Sequence, residues 1–178
     1  MFSENRLDDV DLGLLQALQE NAKATLQELG KRVGLKPPAV MERVRKLETV
    51  GFIKGYHAHL DARMLGMDIT AFIGVTIDYP GEIDDFLELL EHEGQVQECH
   101  HVTGHHTLML KVRARNTEAL EQLIRKVRER PGVRGSETMV VLSTWSEGSN
   151  LPLENIPIDD RRRGRMRTVD GVRRGLRH

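Results

Sequence analysis

The sequence predicts an α+β protein with two folded domains, the first made of helices and the second built on an antiparallel sheet. Apolar residues recur at helical spacing as far as about Val50. From Met67 onward they alternate with polar residues, which is the period of a half-buried strand. The chain has 178 residues and domains commonly contain about 100–200, so the length allows one domain or two small ones. The change in the spacing of apolar residues after Val50 favours two domains.

The composition excludes several classes of protein. Charged residues make up 30% of the chain, and its mean hydropathy is -0.43. A membrane-spanning helix needs about 20 apolar residues, and no apolar run in the sequence approaches that length. A single cysteine cannot form an internal disulfide, and the start MFSENRLDDVD lacks the charged-then-apolar pattern of a secretory signal. We therefore expect a soluble, cytoplasmic protein with no membrane partner.

Three helices are predicted in residues 1–52. Asp8 is a candidate N-cap for the first, and Thr25 and Glu28 have the spacing of a capping box for the second. Gly34 suits a left-handed C-cap, and Pro37 suits the first turn of a third helix, where its missing N–H needs no partner. The helices are expected at residues 8–21, 26–33 and 37–50. Two short helices joined by a tight turn that contains Gly form the helix-turn-helix pattern.

The third helix has two unlike faces. Val40, Val44 and Leu47 fall on one side, which predicts the core. The opposite side is polar and basic, and residues 23–56 as a whole carry eight cationic side chains against three acidic ones. After this helix the alternating residues Ile53 to Asp61 predict a strand that forms a wing, so residues 53–66 are expected to be a wing strand and linker.

Residues 67–145 predict a second domain. Strands are expected from Met67, at Val96 to Thr103, at Thr107 to Arg113 and at Val133 to Trp145, with helices around Phe86 and after Asn116. The order β-α-β-β-α-β is the ferredoxin-like arrangement, an antiparallel sheet with both helices on one face. Burial of apolar surface stabilises by about 25 cal/mol per Å², so we expect the uncovered sheet face to pair with that of a second chain, with two-fold symmetry.

Residues 146–178 lose this periodicity. They carry eight arginines against five acidic residues, and we expect them to be largely disordered beyond Asn150. Two interpretations stay open. The tail is either a flexible arm that contacts phosphates or a solvated extension without a role.

The order helix-turn-helix, wing and β-α-β-β-α-β resembles the Lrp/AsnC (feast/famine) family of bacterial and archaeal transcription regulators over about residues 6–145. Four stretches carry the resemblance: LDDVDLGLLQALQENAK, LGKRVGLKPPAVMERVRKLETVGFIKGYHAHLD, ECHHVTG and PGV. It implies a winged helix-turn-helix domain that binds double-stranded DNA, followed by a ferredoxin-like (RAM) domain that binds a small-molecule effector, often an amino acid. It also implies homodimers that assemble into tetramers, octamers or rings.

DNA contacts are expected from the third helix and its flanks, with the helix in the major groove. The candidates are Lys36, Pro38, Ala39, Glu42, Arg43, Arg45, Lys46 and Lys54. Arg45 and Lys46 suit either guanine acceptors or phosphates. Arg43 lies nearer the apolar side of the helix, so it either contacts a phosphate or forms an ion pair within the chain. Family members commonly have Ser at the position of Lys36. With Lys36 the side-chain hydrogen bond of the N-cap is missing, and a nearby phosphate would offset the unfavourable cation at the helix N-terminus.

The resemblance also predicts an effector loop. The family pattern Gly-x-aromatic-Asp reads Gly104-His105-His106-Thr107 here, so Thr107 stands where the family often has a carboxylate that holds an amino-acid ammonium. The candidate effector contacts are Thr103, Gly104, His105, His106, Thr107 and Thr138. Imidazoles in such a pocket would suit an anionic or pH-sensitive ligand, because they titrate near neutrality.

The cluster Cys99, His100, His101, His105 and His106 contains good zinc ligands. On a strand, however, Cys99 and His101 point to one face and His100 to the other, and the spacing fits no common zinc pattern. We therefore expect no metal.

Nucleophile–base sets, phosphate loops and dinucleotide fingerprints are absent from the sequence, which predicts a non-enzymatic protein without a cofactor. The alternative is a siroheme-decarboxylase-like enzyme. Such enzymes also resemble this family and use histidines of the α/β domain on a tetrapyrrole.

Overall fold

The computed structural model describes residues 7–78, 86–88, 90, 93–154 and 156, which divide into two compact units. The first unit comprises the described residues up to Ala58 together with those from Gly148 onward, and the second runs from His59 to Glu147. No helix among the described residues is long and apolar enough to cross a membrane.

The first unit contains the three predicted helices, α1 (Asp9–Glu20), α2 (Leu26–Val33) and α3 (Pro37–Val50). Local chemistry sets their ends. The side chains of Asp8 and Asp11 bond each other's backbone N–H at the start of α1, and Thr25 and Glu28 do the same for α2. Gly34 ends α2 with φ at 73°, the left-handed conformation that its position predicted.

A small apolar core holds these helices together. Its buried members are Leu7, Leu14, Ala17, Leu29, Val40 and Leu47. Each fully buried Leu or Val stabilises the unit by roughly 1.5–3 kcal/mol relative to exposure. Val40 and Leu47 lie on the predicted core face of α3, so the polar face of that helix is left on the outside.

Arg43 ties α3 to the start of α1. Its guanidinium donates to both carboxylate oxygens of Asp8, at 2.9 and 2.7 Å, and to Asp11 at 2.7 Å. Burial raises the pKa of Asp8, but the hydrogen bond from the Asp11 N–H and the adjacent guanidinium outweigh burial and hold it below its ordinary value of 3.8. The same residues therefore cap one helix and dock another against it.

The chain returns to the first unit after residue 147. The side-chain amide of Gln19 donates to the Leu151 carbonyl at 3.1 Å and accepts from the Leu151 N–H at 2.7 Å. Ile156 is half-buried and packs against the helical core. The disorder expected beyond Asn150 stays a prediction, and within the described residues Leu151 and Ile156 have the contacts just given. The arginine run from residue 161 lies outside the described residues.

The second unit contains a four-stranded antiparallel sheet and a helix, α4 (Thr117–Arg128), capped by Asn116. Residues 86–88 and 90 are also helical, in the region where the sequence predicts a helix around Phe86. The other residues of that predicted helix lie outside the described residues. The strands are β1 (Ile69–Ile77), β2 (Val96–His101), β3 (Leu108–Ala114) and β4 (Val133–Val140), in the order β2-β3-β1-β4. This order is the ferredoxin-like arrangement and confirms the predicted fold class.

The two faces of the sheet differ. Alternate residues of β1 and β3 are buried in one core with residues of the two helical segments, among them Phe86, Leu120 and Leu123. The intervening residues Phe72, Gly74, Met109 and Lys111 point to the other face, called the open face below. Phe72 is 37% exposed and Met139, opposite it on β4, is 44% exposed.

The predicted wing strand does not form, and β2 and β4 end earlier than expected. Residues 53–61 form no strand in the single chain, because none of the described segments pairs with them. Tyr56 is instead fixed to α3 by its hydroxyl, which donates to Glu48 at 2.9 Å, and burial together with this carboxylate raises its pKa to about 12. β4 ends at Val140 rather than Trp145, and Leu142 and Trp145 are exposed.

Replacing Arg43 by Ala should destabilise the first unit by about 1–3 kcal/mol, because two largely buried carboxylates lose their shared cation. The Asp8 pKa is lowered on folding, so its contribution to stability is present above its ordinary value of 3.8 and is lost as the pH falls through its lower folded value. Stability in the variant should therefore fall less as the pH drops below 4. Hydrogen exchange at α1 amides measures both effects.

Arg45→Ala is the matched control for this prediction, because Arg45 is exposed on the same helix. Equal losses of stability in Arg43→Ala and Arg45→Ala would contradict the structural role of the ion pair.

Candidate nucleic-acid interface and effector site

The outer face of α3 carries most of the predicted DNA contacts. Lys36, Pro38, Glu42, Arg45 and Lys46 are exposed, and Ala39 beside them is half-buried. Lys54 is exposed after the end of the helix. The opposite side of α3 packs into the helical core, so this face is available to a large partner. The major groove of B-DNA is wide enough to admit an α-helix presented in this way.

The start of α3 suits an anion. Lys36 occupies the N-cap position without a side-chain hydrogen bond, and its carbonyl accepts from the N–H groups of Ala39 and Val40. Pro37 and Pro38 lack an N–H, so fewer donors point outward here than at most helix starts. The positive end of the helix dipole and the Lys36 ammonium therefore supply most of the local attraction for a phosphate.

Arg43 does not belong to this face. Its ion pairs with Asp8 and Asp11 leave its side chain only 27% exposed. The geometry favours the alternative stated for Arg43, an intramolecular ion pair, over a phosphate contact. The sequence placed it near the core stripe of α3 but could not identify partners more than 30 positions away.

The predicted effector loop lies at one end of β3. Thr107 closes the turn by accepting from the Val102 N–H at 3.1 Å and by donating its own N–H to Val75 at 2.8 Å. Its hydroxyl accepts from the Ile77 N–H at 3.0 Å and is 3.3 Å from the Ile77 carbonyl. Thr107 thus extends the β1–β3 pairing, and its hydroxyl is already engaged by backbone groups.

His106 occupies the open face beside this loop. Its imidazole covers Gly74, where an added Cβ would come within 2.6 Å of Cγ and 2.7 Å of Nε2. Nε2 lies 3.1 Å from the Glu137 carboxylate on β4, while Nδ1 is buried without a hydrogen-bond partner among the described residues. The side chain of His106 is 19% exposed and that of Glu137 is 66% exposed. His106 and Glu137 therefore place an imidazole ring and a carboxylate next to each other on the open face.

Gly74 and Glu137 were missed by sequence reasoning. Gly74 looks like an ordinary small residue in a strand, and nothing local links Glu137 to a histidine 31 positions earlier. Only the strand register, which sets Gly74 opposite Glu137, brings the three residues together.

The other predicted effector residues do not all converge on His106. Thr138 is opposite Ile73, a buried residue of the helix-covered face, so its side chain points away from the open face. His105 and Thr103 are exposed in the loop, and the His105 carbonyl accepts from the Thr76 hydroxyl at 3.2 Å. The structure therefore groups His106 with the loop and separates Thr138 from it.

The cysteine–histidine cluster is dispersed. Cys99 is half-buried against the core of the second unit, and burial raises the pKa of its thiol. His100 instead lies 3.2 Å from Glu98 on the open face. Among the described residues, no group of three or more His, Cys, Asp or Glu side chains is arranged to hold a metal ion.

Comparisons with known proteins match both units of the chain. A family model described as an AsnC-type helix-turn-helix domain matches residues 7–48, and one described as an Lrp/AsnC ligand binding domain matches residues 70–151. The HTH-type transcriptional regulator LrpA of Mycobacterium tuberculosis is 36% identical over 146 residues, which cover 82% of this chain and 97% of that protein. The regulatory protein AsnC of Escherichia coli is 33% identical, covering 76% of this chain and 90% of AsnC.

Solved structures agree with these matches. A transcriptional regulator of Neisseria meningitidis in complex with L-methionine has a TM-score of 0.79 at 29% identity, with coverage of 83% of this chain and 97% of that one. A feast or famine regulatory protein of M. tuberculosis complexed with L-methionine has a TM-score of 0.75 at 36% identity, with coverage of 82% and 99%.

Replacing Gly74 by Ala should destabilise the second unit by about 1–3 kcal/mol, because the added methyl group displaces the His106 ring from Glu137. In a His106→Ala background the same change should be neutral, or stabilise by up to about 1 kcal/mol, since the clash is gone and Ala suits a strand better than Gly. Hydrogen exchange at β1 amides measures each step of this cycle. An equal cost in both backgrounds would show that the ring is not what Gly74 accommodates.

Proposed function

The chain belongs to the Lrp/AsnC family of transcription regulators, and we propose that the exposed face of α3 is the surface with which it reads DNA. The observation that supports this most is the division of α3: Val40 and Leu47 are buried, whereas Arg45 and Lys46 are exposed beside Pro38 and Glu42. The regulator acts through its helix-turn-helix domain, and we infer that it does so in the cytoplasm.

Different parts of this surface have different roles. Lys36 and Lys54 are suited to phosphates, which set the position of the helix on the duplex. Arg45 and Lys46 point toward the groove, where a guanine O6 and N7 pair is the acceptor that Arg binds best. Glu42 can accept from the amino group of cytosine. The predicted readout therefore combines base contacts in the middle of α3 with phosphate contacts at its ends.

We propose that two chains associate through their open faces. Phe72 and Met139 form an exposed apolar centre, and Lys111, Arg113, Glu98 and Glu137 are charged residues near it on the same face. An apolar centre with a charged rim is the usual anatomy of a protein interface. A rim with both signs of charge is compatible with a second copy related by a two-fold axis. Such a dimer carries two DNA-binding units, which suits half-sites about one helical turn or a multiple apart.

We propose that the effector is an L-amino acid bound against His106 and Glu137. Two similar regulators are known as complexes with L-methionine. The Thr107 hydroxyl is engaged by Ile77, so it is poorly placed to receive an ammonium group. The exposed carboxylate of Glu137 supplies a suitable acceptor on the same face as the His106 ring. A ligand in this position would contact the surface proposed for self-association.

A non-enzymatic role fits these observations best. The similar curated proteins are named as transcriptional regulators. The siroheme-decarboxylase alternative would use His101, His105 and His106; of these, His106 is pressed onto Gly74, whereas His101 and His105 are exposed. The basic outer face of α3 has no evident use in such an enzyme.

Replacing Arg45 by Ala should weaken binding to a selected duplex by about 1–3 kcal/mol, because a base or phosphate contact is lost. Lys46→Ala should act in the same direction. Lys31→Ala is the matched control, since it removes one exposed cation from α2 rather than from α3. Footprinting with titration of each variant measures the effect. Equal losses for Lys31→Ala and Arg45→Ala would contradict the assignment of α3 as the reading helix.

L-methionine should raise the unfolding temperature of the full chain, because a ligand that binds only the folded state at 100 times its Kd adds about 2.7 kcal/mol of stability. His106→Ala and Glu137→Gln should each reduce this shift, and His101→Ala, an exposed histidine on β2, should leave it unchanged. Thermal unfolding with a panel of amino acids provides the measurement. Absence of a shift with every amino acid tested would contradict the proposed effector class.

A further inference from the structure

The chain connects the two units twice. It passes from the first unit to the second after Ala58 and returns after Glu147. At the second crossing the Glu147 carboxylate accepts from Lys111 Nζ at 2.6 Å and from the Arg113 guanidinium at 2.9 Å. We call this contact the sheet anchor, because both cations belong to β3.

A second contact follows in the first unit. The Leu151 N–H donates to the side-chain oxygen of Gln19 at 2.7 Å, and the Gln19 amide donates to the Leu151 carbonyl at 3.1 Å. Ile156 is half-buried and packs against the core of α1, α2 and α3. We call these contacts the helix anchor. The match to the ligand binding domain ends at residue 151, so the packing of Ile156 lies beyond the part that matches the family model.

The sheet anchor is a partly buried group of charges. The side chains of Lys111 and Arg113 are 16% and 18% exposed, and that of Glu147 is 33% exposed. Hydrogen bonding to Lys111 lowers the pKa of Glu147 below its ordinary value of 4.5, so the carboxylate is charged at neutral pH. Charge-assisted hydrogen bonds are roughly twice as strong as neutral ones. They can therefore hold the returning chain against the open face.

The sheet anchor lies beside the surface proposed for self-association. Lys111 is opposite Phe72 of β1, a residue of the apolar centre, and Arg113 is opposite Thr70. A second chain paired over Phe72 would exclude water from the neighbourhood of the anchor. Attraction between opposite charges grows as water is removed around them. Association should therefore strengthen the contacts that Glu147 already makes.

A short stretch of chain separates the two anchors. Residues 148–150 are exposed and lie outside any helix or strand. The Val141 N–H donates to the Thr70 carbonyl at 2.9 Å, so loss of the sheet anchor would free residues 142–150, three times as many. Effective concentration falls roughly as the −3/2 power of the length of a flexible link, so the helix anchor should then form about 5-fold less readily.

We propose that the chain from Glu147 to Ile156 is a second connection between the units, which couples self-association on the open face to the DNA-binding unit. This inference deepens the proposed function and rests on it. In an associated chain both anchors are formed, and the DNA-binding unit has less freedom to move. Two such units lose less entropy when they bind two half-sites together, which is the advantage of preorganisation.

Hydrogen exchange of the Leu151 amide, measured by NMR, tests the connection, because Gln19 protects this N–H when the helix anchor is formed. Glu147→Ala should speed its exchange about 5-fold by removing the sheet anchor. Glu98→Ala is the matched control, since it removes a carboxylate of β2 that also binds Lys111, at 3.1 Å. Exchange of Leu151 should not change in this control. Equal exchange in the wild type and Glu147→Ala would overturn the connection.

A flexible insertion tests the link without removing any contact. About ten Gly and Ser residues inserted after Gly148 should speed the exchange of Leu151 about 10-fold, and Glu147→Ala should then add only about 2-fold. Gln19→Ala should remove the protection of Leu151, whereas Gln16→Ala, at an exposed position of the same helix, should retain it. An undiminished effect of Glu147→Ala in the inserted chain would contradict coupling through this segment.

Protein concentration tests the dependence on association. In the wild type, exchange of Leu151 should slow as the concentration is raised through the range in which the chain associates. Phe72→Glu, at the apolar centre of the open face, and the insertion should each abolish this dependence. Exchange that stays constant while the wild-type chain associates would overturn the coupling.

DNA titration distinguishes this inference from the proposed function. The inserted chain should bind a duplex with two half-sites at least about 5-fold more weakly than the wild type, and a duplex with one half-site equally well. Equal binding of both chains to the two-half-site duplex would overturn the role of the connection in DNA binding. A wild-type chain that binds neither duplex would overturn the proposed function, whereas the exchange of Leu151 would still decide whether the anchors are coupled.

Discussion

The sheet of the second unit is packed by helices on one face, and the apolar residues left on its open face are the main physical constraint on this protein. Phe72 and Met139 expose more than a third of their surface there, at the centre of a charged rim. Burying them against a second copy would remove apolar surface from water, the dominant favourable contribution to association. Such pairing would also bring two DNA-binding units into one assembly, so that quaternary structure and operator geometry become linked.

The proposed effector site shares this surface. His106 and Glu137 meet on the open face over Gly74, beside the loop that Thr107 closes. A small molecule bound there and a second chain would contact neighbouring residues, so the affinity for one would depend on the presence of the other. Coupling of this kind is reciprocal and is typically worth about 1–3 kcal/mol, which changes affinity about 5- to 150-fold. No long pathway through either unit is required for an effector to alter the assembly.

The sequence predicts the parts of the fold that depend on local chemistry. The helices begin and end within one or two residues of their expected positions, because Thr25, Glu28 and Gly34 act on backbone groups three or four residues away. It could not predict features that depend on distant partners. Arg43 finds Asp8 and Asp11 in another helix, His106 meets Glu137 through strand register, and Gln19 binds Leu151 across 132 positions. The wing shows the same limit, since residues 53–61 have the pattern of a strand but lack a partner strand within the described chain.

The most direct test of the proposed assembly is sedimentation equilibrium of the full chain, whose mass is 20.2 kDa, at the concentrations at which it binds DNA. We expect a dimer or a multiple of it, and we expect Phe72→Glu to shift the species toward a single chain with weaker DNA binding. Leu142→Glu, which adds the same charge at an exposed site outside the strands, should leave the mass unchanged. A wild-type chain that, without DNA, has a mass of 20.2 kDa at concentrations at which it binds its operator would contradict pairing through the open face.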